Sequence, residues 1–174
     1  MGAATQIAIE EYLRTSYRPD REYVDGEVRE RNLGEQPHSL LQVRIPIRFL
    51  LMSPALKLIP YVEWRVRVSR SRFRVPDICV VRGKRPPTRI LETPPYIVIE
   101  VLSPEDGWSD MAEKIEDYAR FGVENIWIVD PVRRRAWRIL NGEREEAGDL
   151  VLTTTDREVA LPLGDVFAEI DAIE

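Results

Sequence analysis

Along the chain the apolar positions change period several times, and each change marks an element. Over residues 5–16, TQIAIEEYLRTS, Ile9, Tyr12 and Leu13 recur at helical spacing. REYVDGEVRER then carries two short polar-apolar runs joined by Asp25-Gly26, the dipeptide preferred at a two-residue hairpin turn, with Glu27 opening the second strand. HSLLQVRIPIRFLLMS returns to helical spacing, with Leu40, Leu41, Ile45, Phe49 and Leu50 as its stripe and Pro46 expected to kink or interrupt it. IPYVEWRVRVS alternates: Val62, Trp64, Val66 and Val68 share one face, Tyr61, Glu63, Arg65 and Arg67 the other. After a polar RSR turn, FRVPDICVVR is the second arm of the expected antiparallel hairpin. GKRPPTRILETPP, rich in proline and basic residues, reads as a loop.

The second half of the chain is regular. YIVIEVL is an apolar, β-branched run of the kind buried on both faces of a central sheet. SDMAEKIEDYARFG is a helix, with Asp110 as its expected cap, Glu113 as the capping-box partner and Gly122 as its stop. NIWIVD is a buried strand, so residues 96–130 form a strand-helix-strand unit with a parallel pairing. RRRAWRIL and EREEAG flank a second hairpin turn at Asn141-Gly142; LVLTTT and REVAL read as late strands and LGDVFAEI as a closing helix. The pattern predicts one α/β (α+β) domain over 1–174, a mixed sheet flanked by helices with additional β-hairpins. Its parts are an N-terminal helix and hairpin (1–35), a core (36–130) and C-terminal strands with a short helix (131–174).

Three residues break this pattern. Glu100 lies inside the buried strand, although an unpartnered buried carboxylate is costly. Asp77 follows Pro76 in an otherwise apolar strand. Lys114 projects between Tyr118 and Phe121, inside the stripe that Met111, Ile115, Tyr118 and Gly122 define on its helix. Each has an ordinary reading: an edge-strand aspartate facing water, a strand-end glutamate, a lysine whose stem covers apolar surface. Together, two carboxylates on strands of one sheet and a lysine on the helix above them resolve the burial problem, as a structural ion-pair network or around a metal.

Composition narrows the chemistry. Apolar residues make up 44% and charged residues 32%, as in an ordinary globular domain. No apolar run approaches the roughly 20 residues that span a bilayer, and the N-terminus lacks a signal-peptide pattern, so the expectation is a cytoplasmic protein with no membrane partner. Gly2 hints at myristoylation. A single cysteine, Cys79, and a single histidine, His38, exclude a disulfide and a zinc finger or ribbon; any metal would be held by oxygen. The net charge of −5 argues against nucleic acid, but the charge is segregated. Residues 65–89 carry nine Arg and Lys against one acid, Asp77, and residues 100–117 carry seven acids against Lys114.

VPD on one strand, 22 residues, and IEVLSP on the next resemble the PD-(D/E)XK nuclease superfamily, whose fold is restriction-endonuclease-like. The longer order DGE, H, VPDICVV, PPYIVIEVLSP, EK, Y, GV and IWIVD, from about Tyr23 to Asp130, resembles the Uma family, long catalogued as a domain of unknown function and described as endonucleases. The resemblance implies that Asp77 and Glu100 are metal-binding acids, with the Val101 carbonyl as a third ligand for magnesium or manganese. The superfamily lysine falls two residues after the acid, where this chain has Leu102; the family places it on the next helix, at Lys114. Glu27 matches an upstream acid that completes the metal site, and His38 a family histidine of unassigned role.

The activity so implied is metal-dependent hydrolysis of nucleic-acid phosphodiesters, with DNA as substrate and a homodimer as assembly. Lys114 would assist the attacking water or the phosphate charge. Arg65, Arg67, Arg72, Arg74, Arg82, Lys84, Arg85 and Arg89 would hold the phosphate backbone, or form a solvated strand face. Trp108 could stack on a base or sit at the rim. The alternative is an inactive nucleic-acid-binding or scaffolding protein that keeps the fold. A nucleotide- or sugar-phosphate enzyme would want a glycine-rich phosphate loop, and none is present.

Overall fold

The computed structural model describes residues 6–32, 34–104 and 106–172. Gly2 lies outside them. A six-stranded sheet organises the molecule. It contains β3 (Leu58–Val62), β6 (Ile78–Arg82), β7 (Ile97–Val101), β8 (Ile126–Asp130), β9 (Arg135–Leu140) and β10 (Glu143–Glu146), in the order β10-β9-β8-β7-β6-β3. Only β7 and β8 pair in parallel, joined by α3 (Trp108–Phe121) as the crossover helix. Alternation along β7 sends Ile97, Ile99 and Val101 to one face, where Leu41, Ile45 and Phe49 of α2 (Gln36–Leu56) and Val166 and Phe167 of α4 (Leu163–Asp171) cover them. Val98 faces the other way, with Cys79, Ile126 and Ile128, under Met111 and Tyr118 of α3. Each large apolar side chain so buried contributes roughly 1.5–3 kcal/mol. The strands β11 (Val151–Thr153) and β12 (Ala160–Pro162) form a separate antiparallel pair.

The hairpin expected from residues 59–82 forms, but it is divided between two sheets. β3 pairs with β6, while β4 (Val66–Arg67) pairs with β5 (Arg72–Arg74) in a second sheet. That sheet is ordered β2-β1-β5-β4, where β1 (Glu22–Val24) and β2 (Glu27–Arg29) are the hairpin turning at Asp25-Gly26. The ribbon breaks at Glu63 on one arm and at Pro76-Asp77 on the other. Glu63 takes a left-handed conformation, φ 50°, and its N–H donates to the Asp77 carbonyl at 3.2 Å. Val62 and Val66 therefore do not share a face: Val62 is exposed and Val66 is buried. The period-2 pattern continued through the break because a left-handed residue changes strand direction without changing residue type.

Three other expectations are corrected. The first helix is short, α1 (Ile9–Arg14), burying Tyr12 but leaving Leu13 exposed. Helix α2 runs through Pro46 and Pro54 without interruption. A proline removes one backbone bond at about 3 kcal/mol, and burial of Leu41, Ile45, Pro46 and Phe49 on the sheet offsets it. Helix α3 starts earlier than Asp110 suggested: Gly107 is its N-cap, and Asp110 lies in its first turn. Gly122 does end it, at φ 100°.

Cys79 is fully enclosed between β3 and β7, and burial pushes its thiol up to about 12. Thiolate is the reactive form, so the native chain is expected to resist disulfide reagents at pH 8 and to label only on unfolding. Rapid native labelling, followed by absorbance, would contradict this packing of β6.

Candidate active site

The ladder between β6 and β7 ends at Ile78 opposite Ile99. One step further along that register stand Asp77 and Glu100, beyond the last backbone pair. By alternation Glu100 shares the face of Val98, toward α3. The ladder is completed there by a side chain: the Val101 N–H donates to Asp77 Oδ2 at 2.8 Å. In an extended strand the N–H and C=O of one residue point to the same edge, so the Val101 carbonyl shares the Asp77 side of β7.

Both carboxylates are buried and engaged. Asp77 Oδ1 accepts from Arg31 Nη2 at 2.6 Å, and Oδ2 lies 3.3 Å from His38 Nε2 at the start of α2. Glu100 Oε1 accepts from the Tyr118 hydroxyl at 2.6 Å, and Oε2 lies 3.4 Å from Lys114 Nζ. The same ammonium is 3.5 Å from Glu22 Oε1 on β1. Glu22 in turn accepts from Arg74 Nη1 at 2.8 Å and from the Val75 N–H at 3.1 Å. Tyr118 follows Lys114 by one helical turn, so both reach Glu100 from one face of α3.

These contacts decide the charge states. Burial pushes Glu100 up, Lys114 opposes it, and Asp77 and Glu22 add to it, leaving the carboxyl at about 7. Asp77 is buried as deeply but held below its usual range, because His38 and Arg31 outweigh burial. Glu22 is lowered, since Lys114 and Arg74 overcome its burial. Lys114 is held charged against burial by Glu100, Glu22 and Asp77. His38 is raised: burial opposes its charge, and the Asp77 contact wins. Glu100 is thus the acid of the cluster that burial leaves least readily ionised, with one partly buried ammonium serving both it and Glu22. Among the described residues no three His, Cys, Asp or Glu side chains already converge as a metal-binding group.

A groove of about 500 Å³ opens onto this cluster, lined in part by Glu22, Arg31, Asp106 and Lys114. The Uma2 family model, described as "Putative restriction endonuclease", matches residues 9–170. The chain belongs to the Uma2 family. Among solved structures, the crystal structure of "a putative nuclease belonging to DUF820" from Anabaena variabilis ATCC 29413 has the same fold. Its TM-score is 0.81 at 22% identity, over 93% of this chain and 98% of that one. No curated protein sequence matches the chain.

Within this Uma2 chain the structure brings Asp77, Glu100, Lys114 and His38 to one place. It does not bring Glu27 there. Glu27 lies on β2 beside Arg29 Nε at 3.5 Å, half-exposed on the wall of the groove. The acid beside Lys114 is Glu22, on the partner strand of the same hairpin. Sequence reasoning passed over Glu22, Arg31 and Tyr118. Tyr118 was counted in the apolar stripe, and its i+4 spacing from Lys114 was the available signal. Glu22 and Arg31 carry no local signal, because their partners come from other elements.

The expected phosphate-binding arginines are also reassigned. Arg74 is buried on the wall of the groove, bound to Asp117 Oδ2 at 2.6 Å as well as to Glu22, so its guanidinium is already engaged by carboxylates. Arg72 pairs with Asp25, Glu113 and Asp117, and Arg65 with Asp20 at 2.5 Å while stacking over Tyr12. Arg67 lies over Phe73 with Glu92 at 3.5 Å, and Arg82 pairs with Asp156 and Glu158. Lys84, Arg85 and Arg89, on the loop after β6, remain exposed. Segregation of charge along the sequence was real, but the acids that neutralise it lie elsewhere in the chain. No helix among the described residues is long and apolar enough to cross a membrane.

Proposed function

We propose that this Uma2 chain is a divalent-metal-dependent endonuclease that hydrolyses phosphodiester bonds in DNA. The observation that carries the reading is the placement of Lys114 Nζ 3.4 Å from Glu100. A lysine absent from its usual position two residues after the acid is returned to that acid from the next helix. Leu102 is therefore not evidence of a decayed site.

The residues fit a metal of the magnesium or manganese class. Their donors are hard oxygens: the carboxylates of Asp77 and Glu100 on neighbouring strands, and the Val101 carbonyl on the same edge. Glu100, raised to about 7 chiefly by burial with Asp77 and Glu22 adding to it, is a carboxyl that a bound cation would ionise. When bound, such an ion would polarise the scissile phosphate and acidify an attacking water. The chain's own groups supply the rest. Lys114 presents its ammonium to the groove, where it can orient the attacking water or offset charge building on the phosphate. Glu22 and Tyr118 hold Lys114 and Glu100 in position. Arg31 and His38 keep Asp77 ionised. Lys84, Arg85 and Arg89 are the exposed cations available to a phosphate backbone. A homodimer, each subunit cutting one strand, is the assembly this reading implies.

Supercoiled plasmid, single-stranded DNA and RNA, each incubated with Mn²⁺ or Mg²⁺, test it. Cleavage of DNA is expected, and Asp77→Ala should lower it at least about a hundredfold, the scale seen when groups supporting a metal are lost. Cleavage that survives Asp77→Ala unchanged would overturn the site. A wild-type chain that binds DNA but neither cuts nor takes up metal would be a scaffold.

A further inference from the structure

A second groove, of about 470 Å³, lies beyond the carboxyl ends of β7 and β8, where the parallel strands end. It meets the catalytic groove at Asp106, which lines both. Its volume is in the range of small-molecule pockets. The walls include two tryptophans and three arginines, Arg133, Arg135 and Arg144, with Asp106 and Asp130 as the acids. Trp108, the first residue of α3, is 46% exposed, unusual for so large an apolar side chain. It meets Trp137 edge-on, with centroids 5.8 Å apart. Arg144, from β10, lies over Trp108 at 3.9 Å and over Trp137 at 5.4 Å.

Two features of the groove lack a polar partner, although the Arg144 guanidinium is stacked on Trp108. Arg144 makes no ion pair among the described residues, whereas Arg133 pairs with Asp130 and Arg135 with Glu146. Ser103, three residues after Glu100, is more than nine-tenths buried and lines the groove, yet its hydroxyl has no hydrogen-bond partner among the described residues. A buried hydroxyl is ordinarily satisfied. An aromatic platform, a guanidinium stacked on it without an ion pair, and a hydroxyl without a partner among the described residues match the parts of one nucleotide: a base, a phosphate and a polar edge.

We infer that this groove is a subsite for an unpaired nucleotide of a single strand, its base taking the place of the Arg144 guanidinium on Trp108 and its phosphate held by the displaced Arg144, with the Ser103 hydroxyl bonding to it. The assignment rests on the nuclease reading and adds a substrate class to it. A base inside a duplex has both faces covered by its neighbours, so away from the duplex ends an aromatic ring can stack only on a base that is unpaired or extruded. The groove adjoins the scissile site, so the protein engages single-stranded DNA, or a flap or overhang beside a duplex.

Fluorescence anisotropy of a labelled single-stranded 12-mer and of the matching blunt duplex, in EDTA and low salt, tests this. Trp108→Ala is expected to weaken single-strand binding at least about tenfold and to leave the duplex within about twofold. Trp108→Phe, which keeps a ring, should retain most of the affinity, and Arg144→Ala should lower it and reduce its salt dependence. Tryptophan quenching on single-strand addition should be seen in wild type and largely lost in Trp108→Ala. Equal losses on both DNAs, or none on the single strand, would overturn the subsite while leaving the nuclease reading intact if wild type still cuts plasmid. A wild type that binds neither DNA and cuts nothing would overturn both.

Discussion

Lys114→Met is expected to lower DNA cleavage by about 10²–10³-fold, the scale on which losing one preorganised charge-stabilising group acts. Methionine keeps an apolar stem at this position of α3 and removes the ammonium. The ammonium sits between Glu100 and Glu22, so its loss also leaves buried carboxylates without their shared cation. Breaking a buried pair from one side costs about 3–5 kcal/mol in general; here Glu100 can take up a proton, since it already stands at about 7, and the loss should fall below that range. The double variant Glu100→Gln/Lys114→Met separates chemistry from stability. It should regain much of the thermal stability, because the excess charge is gone, and remain inactive. Melting curves beside plasmid cleavage at matched temperature read both effects. A Lys114→Met chain that melts lower but cuts at the wild-type rate would make Lys114 a structural counter-ion only.

Arg74→Ala should produce the largest loss of stability of any single charge removal in the chain. Arg74 is buried and ties three elements together: Glu22 on β1, its own β5, and Asp117 with Glu113 on α3. Its removal leaves Glu22 with Lys114 and Asp117 with Arg72 as their remaining cations in the interior. The expected cost is about 3–5 kcal/mol, a large part of the 5–15 kcal/mol that holds an ordinary domain folded. Arg74→Lys should recover little, because a point charge does not replace a planar fork meeting several carboxylates. Arg85→Ala, on the exposed loop, is the control and should change stability by less than about 0.5 kcal/mol. Denaturant midpoints decide the matter. An Arg74→Ala chain with an unchanged midpoint and weakened DNA binding would return Arg74 to the phosphate-binding set.

The two arginines of that comparison show what a sequence can and cannot convey. Arg74 and Arg85 look alike in a basic segment, yet one is a core strut and the other a solvated side chain. Proximity along the chain says nothing about a partner 43 residues away, such as Asp117. Glu22 and Glu27 make the same point on a smaller scale. Both are acids on one short hairpin, and which of them reaches Lys114 depends on how that hairpin docks against α3. Lys114 was legible because a helix has a fixed period, so its place among Met111, Ile115 and Tyr118 identified a buried cation before any partner was known. Glu100 was legible because a carboxylate inside an apolar strand contradicts its surroundings.

What the sequence determined by itself is local: the strand-helix-strand unit carrying Glu100 and Lys114, the turns at Asp25-Gly26 and Asn141-Gly142, and the Uma-family order of motifs. These follow from periodicity and turn chemistry, which act over a few residues. The tertiary structure alone decided four things. It split one alternating ribbon between two sheets at Glu63 and Asp77, chose Glu22 over Glu27, and converted most of the basic stripe into internal ion pairs. It also brought Trp108, Trp137, Arg144 and Ser103, from four separate segments, to one groove. The physical reason is common to all of them. Burial and charge pairing are properties of places in space, and a place is defined only when distant elements pack.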